Sequence, residues 1–226
     1  MSRVILVTAC VLSQLVVVVP VADGANPQID WKAVVESLAS RNKPPTVDPI
    51  DPTRVEFGTD FDQKEEYRIQ DAVDRLCSHF SEAIPLLVQY SGDKRYCATL
   101  ESGDGVRTNA SIGDVCVNII CKNVEPEPPW IRRGTRGIVE QSKSIVEWWR
   151  PRQKRALYEL QLEAYEFALR QELLQPLDSS RMYGPLGTLP PEKAERKIIG
   201  HLCAAIARLC KFEKPLHAER FLLRPP

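Results

Sequence analysis

The residues able to do chemistry are thinly spread along the 226-residue chain. Three histidines occur, His79, His201 and His217, and two of them lie near a cysteine, in Cys77-Ser78-His79 and in His201 with Cys203. Neither spacing matches a zinc finger or the paired histidines of a metalloprotease helix, so no metal ligand set is assigned. The chain has no Cys-x-x-Cys, no Gly-x-Ser-x-Gly and no Gly-x-x-x-x-Gly-Lys, which leaves dithiol redox work, serine hydrolysis and phosphate cradling without a motif. Gly103-Asp104-Gly105 reads as a turn. Glu159, Glu163 and Glu166 share one helical stripe. A carboxylate-dependent hydrolase needs two acids about 5 to 9 Å apart under apolar cover, and a solvated helix face explains the same stripe. No catalytic residue and no cofactor follow from these patterns.

Charge is more informative. The chain is neutral overall, with thirty bases and thirty acids, so any attraction to an anionic partner must be local. Between positions 132 and 155 stand Arg132, Arg133, Arg136, Lys143, Arg150, Arg152, Lys154 and Arg155 against only Glu140 and Glu147, with Trp130, Trp148 and Trp149 close by. Bases beside exposed indoles could hold an anionic polymer or a membrane surface, and Trp148, Trp149 and these arginines are the residues that would do it. Specific nucleic-acid binding is not expected. The same pattern also fits solvated bases with core tryptophans, or attraction to the acidic stretch from Asp60 to Asp74.

The beginning of the chain resembles an export signal. Arg3 precedes an apolar run from Val4 to Val21, and Ala22 and Gly24 provide small residues for cleavage after Gly24. A membrane anchor over residues 4–22 is the alternative. Cleavage would leave six cysteines, Cys77, Cys97, Cys116, Cys121, Cys203 and Cys210, in an oxidising compartment, where an even count makes disulfides an expectation. On one helix, Cys203 and Cys210 would stand about 10 Å apart and Cys116 and Cys121 about 7.5 Å apart, too far for either pair to close on itself. Small buried thiols on helix faces are the competing reading.

Helical periodicity dominates the elements that must carry these residues. Trp31, Val34, Val35 and Leu38 predict a helix over 29–41. Four prolines between 44 and 52 then predict an extended linker. Asp62 with Glu65 forms a capping-box pattern ahead of Ile69, Val73, Leu76 and Phe80. A second helix opens near Ser81, followed by a polar, glycine-rich loop over 91–109 and a helix capped by Ser111. Further helices are expected over 138–149, from Arg152 to about Leu174, and, after the loop closed by Pro190-Pro191, to about Lys211. In the last of these Ile199, Leu202, Cys203, Ile206, Leu209 and Cys210 would point inward. No alternating run suggests a sheet.

Glu82-Ala83-Ile84-Pro85-Leu86-Leu87, Gly92-Asp93 and Ile112-Gly113-Asp114-Val115-Cys116 resemble one HEAT-type helical repeat pair, with a long insert between its helices. That resemblance implies a scaffold or binding surface and no catalytic residue. The expected architecture is all-α, a helical bundle or short HEAT-like array in two packed halves. Residues 1–24 form the signal, 25–61 an N-terminal helix and proline-rich linker, 62–125 the HEAT-like half and 130–226 the C-terminal half. The expected function is that of an exported, non-catalytic protein-interaction module. Binding of an anionic partner through 130–155 and a carboxylate hydrolase stand as alternatives. Asn109-Ala110-Ser111 is a glycosylation sequon.

Overall fold

The structure, a computed structural model, describes residues 29–101, 105–126, 137–174 and 189–212. The export signal or anchor, Trp130, Arg132, Arg133 and Arg136 lie outside the described residues.

Helix α1 (Trp31–Glu36) starts where the Asp30 carboxylate accepts from the Ala33 amide. It is shorter than its apolar spacing predicts. The Arg68 guanidinium captures the carbonyls of Ser37 and Ala39, so the chain turns away after the first buried valines. The proline-rich stretch is non-helical as expected, but its ends pair. Strand β1 (Thr46–Val47) runs antiparallel to β2 (Val55–Glu56) around a turn in which Asp48 accepts from the Ile50 and Asp51 amides.

Helix α2 (Gln63–Ser78) is capped by Asp62 and buries Glu65, Ile69, Ala72 and Leu76, one residue every three or four. His79 breaks it from α3 (Phe80–Tyr90), in which Pro85 is accommodated in the second turn. The expected loop over 91–109 is instead a hairpin, β3 (Tyr96–Glu101) against β4 (Arg107–Ser111). Cross-strand pairs hold it. The Thr99 hydroxyl donates to Asn109 at 2.8 Å, and Arg107 meets Glu101 at 2.8 Å. Gly105, with φ of 81°, supplies the left-handed turn residue. All-α is therefore corrected to mostly helical with two small antiparallel sheets. The strands are too short, and half of their faces too polar, for alternation to stand out in the sequence.

Helix α4 (Ile112–Val124) opens with the Ser111–Asp114 capping box. At Gly113 the start of α4 comes against the loop after α3 so closely that a Cβ would sit 2.5 Å from the Ser91 carbonyl oxygen. The Gly113 amide donates to the Asp93 carbonyl at 2.9 Å. Helices α3 and α4 thus pack as a pair with the hairpin as their insert.

The helix expected over 138–149 divides into α5 (Ile138–Gln141) and α6 (Ile145–Trp149). Ser142 returns its hydroxyl to the Ile138 carbonyl, and Ser144 caps the new start by accepting from the Glu147 amide. A 3₁₀ turn (Arg150–Arg152) contains Pro151, and α7 (Leu157–Leu174) begins five residues later than Arg152. The Glu159 carboxylate fixes that start by accepting from the Ala156 amide at 2.7 Å.

Helix α7 serves two cores. Its first turns place Leu157, Leu160 and Ala164 in the large cluster built from α1 to α6, while Tyr165 and Ala168 pack with α8 (Pro191–Phe212) in a second cluster. In α8 the inward row is Ala194, Ile198, Leu202, Ala205 and Leu209. The expected inward face is corrected by one position, because Ala194 and Ala205 let the two helices approach closely. Leu202 and Leu209 point inward as expected. Ile199 and Ile206 are half-buried, and Cys203 and Cys210 are exposed.

Candidate functional site

The basic, tryptophan-rich segment supplies one wall of a groove. Trp148 is 2% exposed and Trp149 7%, so both indoles belong to the first core rather than to a free aromatic surface. Trp149 nevertheless lines an open cavity of about 840 Å³ between α3 and α6. The floor is Pro85, Val88, Val117, Val139 and Ile145, and the rim includes Gln89, Ser142, Arg150 and Gln153. A second cavity of about 450 Å³ carries on from it, sharing Pro85, Trp149 and Gln153, and reaches Phe80, Ile84 and Tyr158. Together they make a groove along one flank of α3. Concave, mainly apolar surfaces of this volume with a few polar groups at the edge are the usual form of binding sites.

The arginines of the segment divide by what they touch. Arg152 grips Glu163 with two nitrogens at 2.9 and 2.5 Å, donates to the Trp148 carbonyl at 2.6 Å, and lies 5.4 Å from the centre of the Trp148 ring. Arg155 also pairs with Glu163 and donates to the Glu159 carbonyl at 3.0 Å. The Arg152 guanidinium, with Arg155 behind it, holds the Glu163 carboxyl below its ordinary range. These two cations are spent on fastening the 3₁₀ turn to α7. Arg150, Lys143 and Lys154 are exposed, and among the described residues Arg150 has no ion-pair partner.

The acids of the α7 stripe are engaged or solvated. Glu163 carries the two arginines, Glu159 accepts from a backbone amide, and Glu166 is exposed. Glu36 and Asp93 share Arg95, and both titrate below their ordinary values, Glu36 through Tyr90 first and Arg95 next, Asp93 through Arg95. A general acid needs the opposite shift. Glu66 does shift upward, because burial outweighs the hydrogen bond with Asn42, and one of its carboxylate oxygens is buried without a partner. It lines a cavity of about 750 Å³ between α2, β3 and α4 together with Asp74. Eight residues along one helix put those two acids about 12 Å apart along its axis, beyond the ~9.5 Å limit for a glycosidase pair.

No two of the six described cysteines lie at bridging distance. Cys97 and Cys116 are buried, and loss of solvent pushes both thiols up to about 12, which makes them poor nucleophiles. Cys77 and Cys121 are half-buried. No group of three His, Cys, Asp or Glu side chains among the described residues is arranged to hold a metal ion. Asn109, the sequon residue, is exposed on β4, and its side-chain amide donates to the Pro45 carbonyl at 2.8 Å.

Periodicity in the sequence points to Ile145 and Trp149 as apolar positions on a helix. The facing residues Pro85, Val88 and Val117 were not legible as a floor, since their meeting depends on how α3, α4 and α6 pack. The exposed proline inside α3 is the one local signal, because a helix rarely keeps such a residue on an open face without a reason. No known protein family, curated protein or solved structure matches this chain.

Proposed function

We propose that this protein is a non-catalytic interaction module that works outside the cytoplasm and docks a protein partner in the groove between α3 and α6. The observation that carries the reading is the groove itself. Its lining combines Pro85, Val88, Val117, Val139, Ile145, Val146 and Trp149 with the polar Gln89, Ser142, Ser144, Arg150 and Gln153. Such a mix of apolar and polar side chains is the make-up of a protein-recognition surface. The α3–α4 pair that supports the floor is the segment resembling a HEAT-type repeat, and such pairs present surfaces of this kind. The location rests on the export-signal pattern of the first twenty-four residues. No helix among the described residues is long and apolar enough to cross a membrane.

Site-specific photo-crosslinking tests the reading. Val146 is 46% exposed and lines the groove, so a benzophenone side chain placed there reaches any docked partner without disturbing the core. A discrete protein adduct is expected from that position in the expressing cell, and none from the same probe at exposed Lys64 on α2. Identical adduct patterns at both positions, or no adduct from Val146, would remove the groove as the docking site.

A further inference from the structure

We propose that the groove selects an acidic, apolar protein segment, whose apolar side chains lie over Pro85 and Trp149 and whose carboxylate meets Arg150. The inference rests on the docking reading and adds the chemistry of the partner.

Charge is distributed one-sidedly along the groove. Among the described residues its charged lining side chains are Arg150 in the larger cavity and Arg155 in the smaller, and none of the described carboxylates lines either one. Arg155 is engaged by Glu163, whereas Arg150 is exposed and among the described residues has no ion-pair partner. Lys143, just before α6, and Lys154, just after the 3₁₀ turn, are exposed in the same segment but, like Glu147, do not line the groove. Of the nearby acids, Asp93, beyond the Gly92 end of the groove, is tied to Arg95 at 2.6 Å, and Glu147 is exposed on α6. An incoming segment therefore meets a mainly apolar floor with the Arg150 guanidinium at its edge, and a carboxylate on that segment would gain both steering and register.

The same geometry argues against a bilayer as the occupant. Insertion into a membrane requires apolar side chains that project outward, but the two indoles of this segment are 2% and 7% exposed, and the floor is concave. A sulfated polysaccharide would satisfy Arg150 and leave the apolar floor uncovered. A peptide with both characters covers both features.

The test uses the full chain and three fluorescein-labelled peptides of equal length, composed of Leu with Glu, Leu with Ser, and Leu with Lys. Fluorescence anisotropy at low salt is expected to rank the Leu/Glu peptide tightest. In Arg150→Glu its affinity should fall by about tenfold or more, with the Leu/Ser peptide unchanged and the Leu/Lys peptide improved. Because Arg150 is exposed, Arg150→Gln should fold normally and show an intermediate loss. Equal binding of the Leu/Glu and Leu/Ser peptides, indifferent to Arg150, would overturn the acidic partner while leaving groove docking intact. Binding of no peptide would overturn both. Tighter Arg150-dependent binding to phosphatidylserine vesicles than to the Leu/Glu peptide would overturn the choice of a protein segment.

Discussion

Glu65 is the side chain on which the N-terminal packing turns. It is 6% exposed, accepts from the Arg41 amide at 2.8 Å and binds the Arg68 guanidinium through both oxygens, while that guanidinium also holds the carbonyls that end α1. Arg68 is the main reason the Glu65 carboxyl is held down at about 2, against an ordinary 4.5. A depressed carboxyl contributes stability that is fully present above its unfolded value and is lost as pH falls through the folded one. The fold should therefore weaken between about pH 4.5 and pH 2. Glu65→Gln should cost about 2 to 3 kcal/mol at neutral pH and flatten that acid limb, as read by urea unfolding at a series of pH values. An unchanged acid limb would show that other groups control it. The cysteines give a second test at this scale. A thiol reagent should label Cys203 and Cys210 quickly in the folded protein, whereas Cys97 and Cys116 should wait for unfolding. Peptide mapping that finds Cys97 labelled early would contradict the packing of β3. At this scale the sequence was readable where a residue acts on its own neighbours, as in the Ser111–Asp114 capping box. Asp62 also caps its helix, but through the Lys64 amide, and Glu65 turns to Arg41 and Arg68 instead of reaching back. Arg152 and Arg155 were read as ligand-facing cations, because nothing in the sequence tells that Glu163 lies across from them.

At the scale of elements, one close approach brings the start of α4 against the loop after α3. The Cβ of an alanine at Gly113 would press on backbone atoms of Ser91, which cannot swing aside as a side chain can. Gly113→Ala should therefore cost about 1 to 3 kcal/mol in thermal or urea unfolding and loosen the α3–α4 pair first. Gly92→Ala, with open space around its Cβ, should change little by comparison. Helix periodicity located α2, α3, α4, α7 and α8, because each repeats its apolar side chains over three or more turns. It overran at α1 and merged α5 with α6. Both errors arise where side chains from elsewhere in the chain, or serine hydroxyls, take up backbone groups that a longer helix would have used. The β3–β4 hairpin was hidden for a different reason. Five or six residues per strand with one part-buried face carry too little alternation to separate strand from loop.

For the whole molecule, α7 joins a large core to a smaller one, and the groove lies on the larger core's surface, its smaller cavity reaching Tyr158, which packs against the second core. The neutral net charge of the chain conceals this local arrangement, since acids and bases balance overall while the charged groove-lining residues among those described are Arg150 and Arg155. A mostly helical fold was legible in the sequence. The groove was not, because it exists only where α3, α4 and α6 meet. Its role is most directly tested by following backbone amide and indole resonances of the full chain as the Leu/Glu peptide is added. The signals of Val88, Val146 and the Trp149 indole should move together and saturate, with Thr99 and Asn118, which line the cavity beside Glu66, remaining still. Movement confined to Thr99 and Asn118, with Trp149 unaffected, would contradict the account.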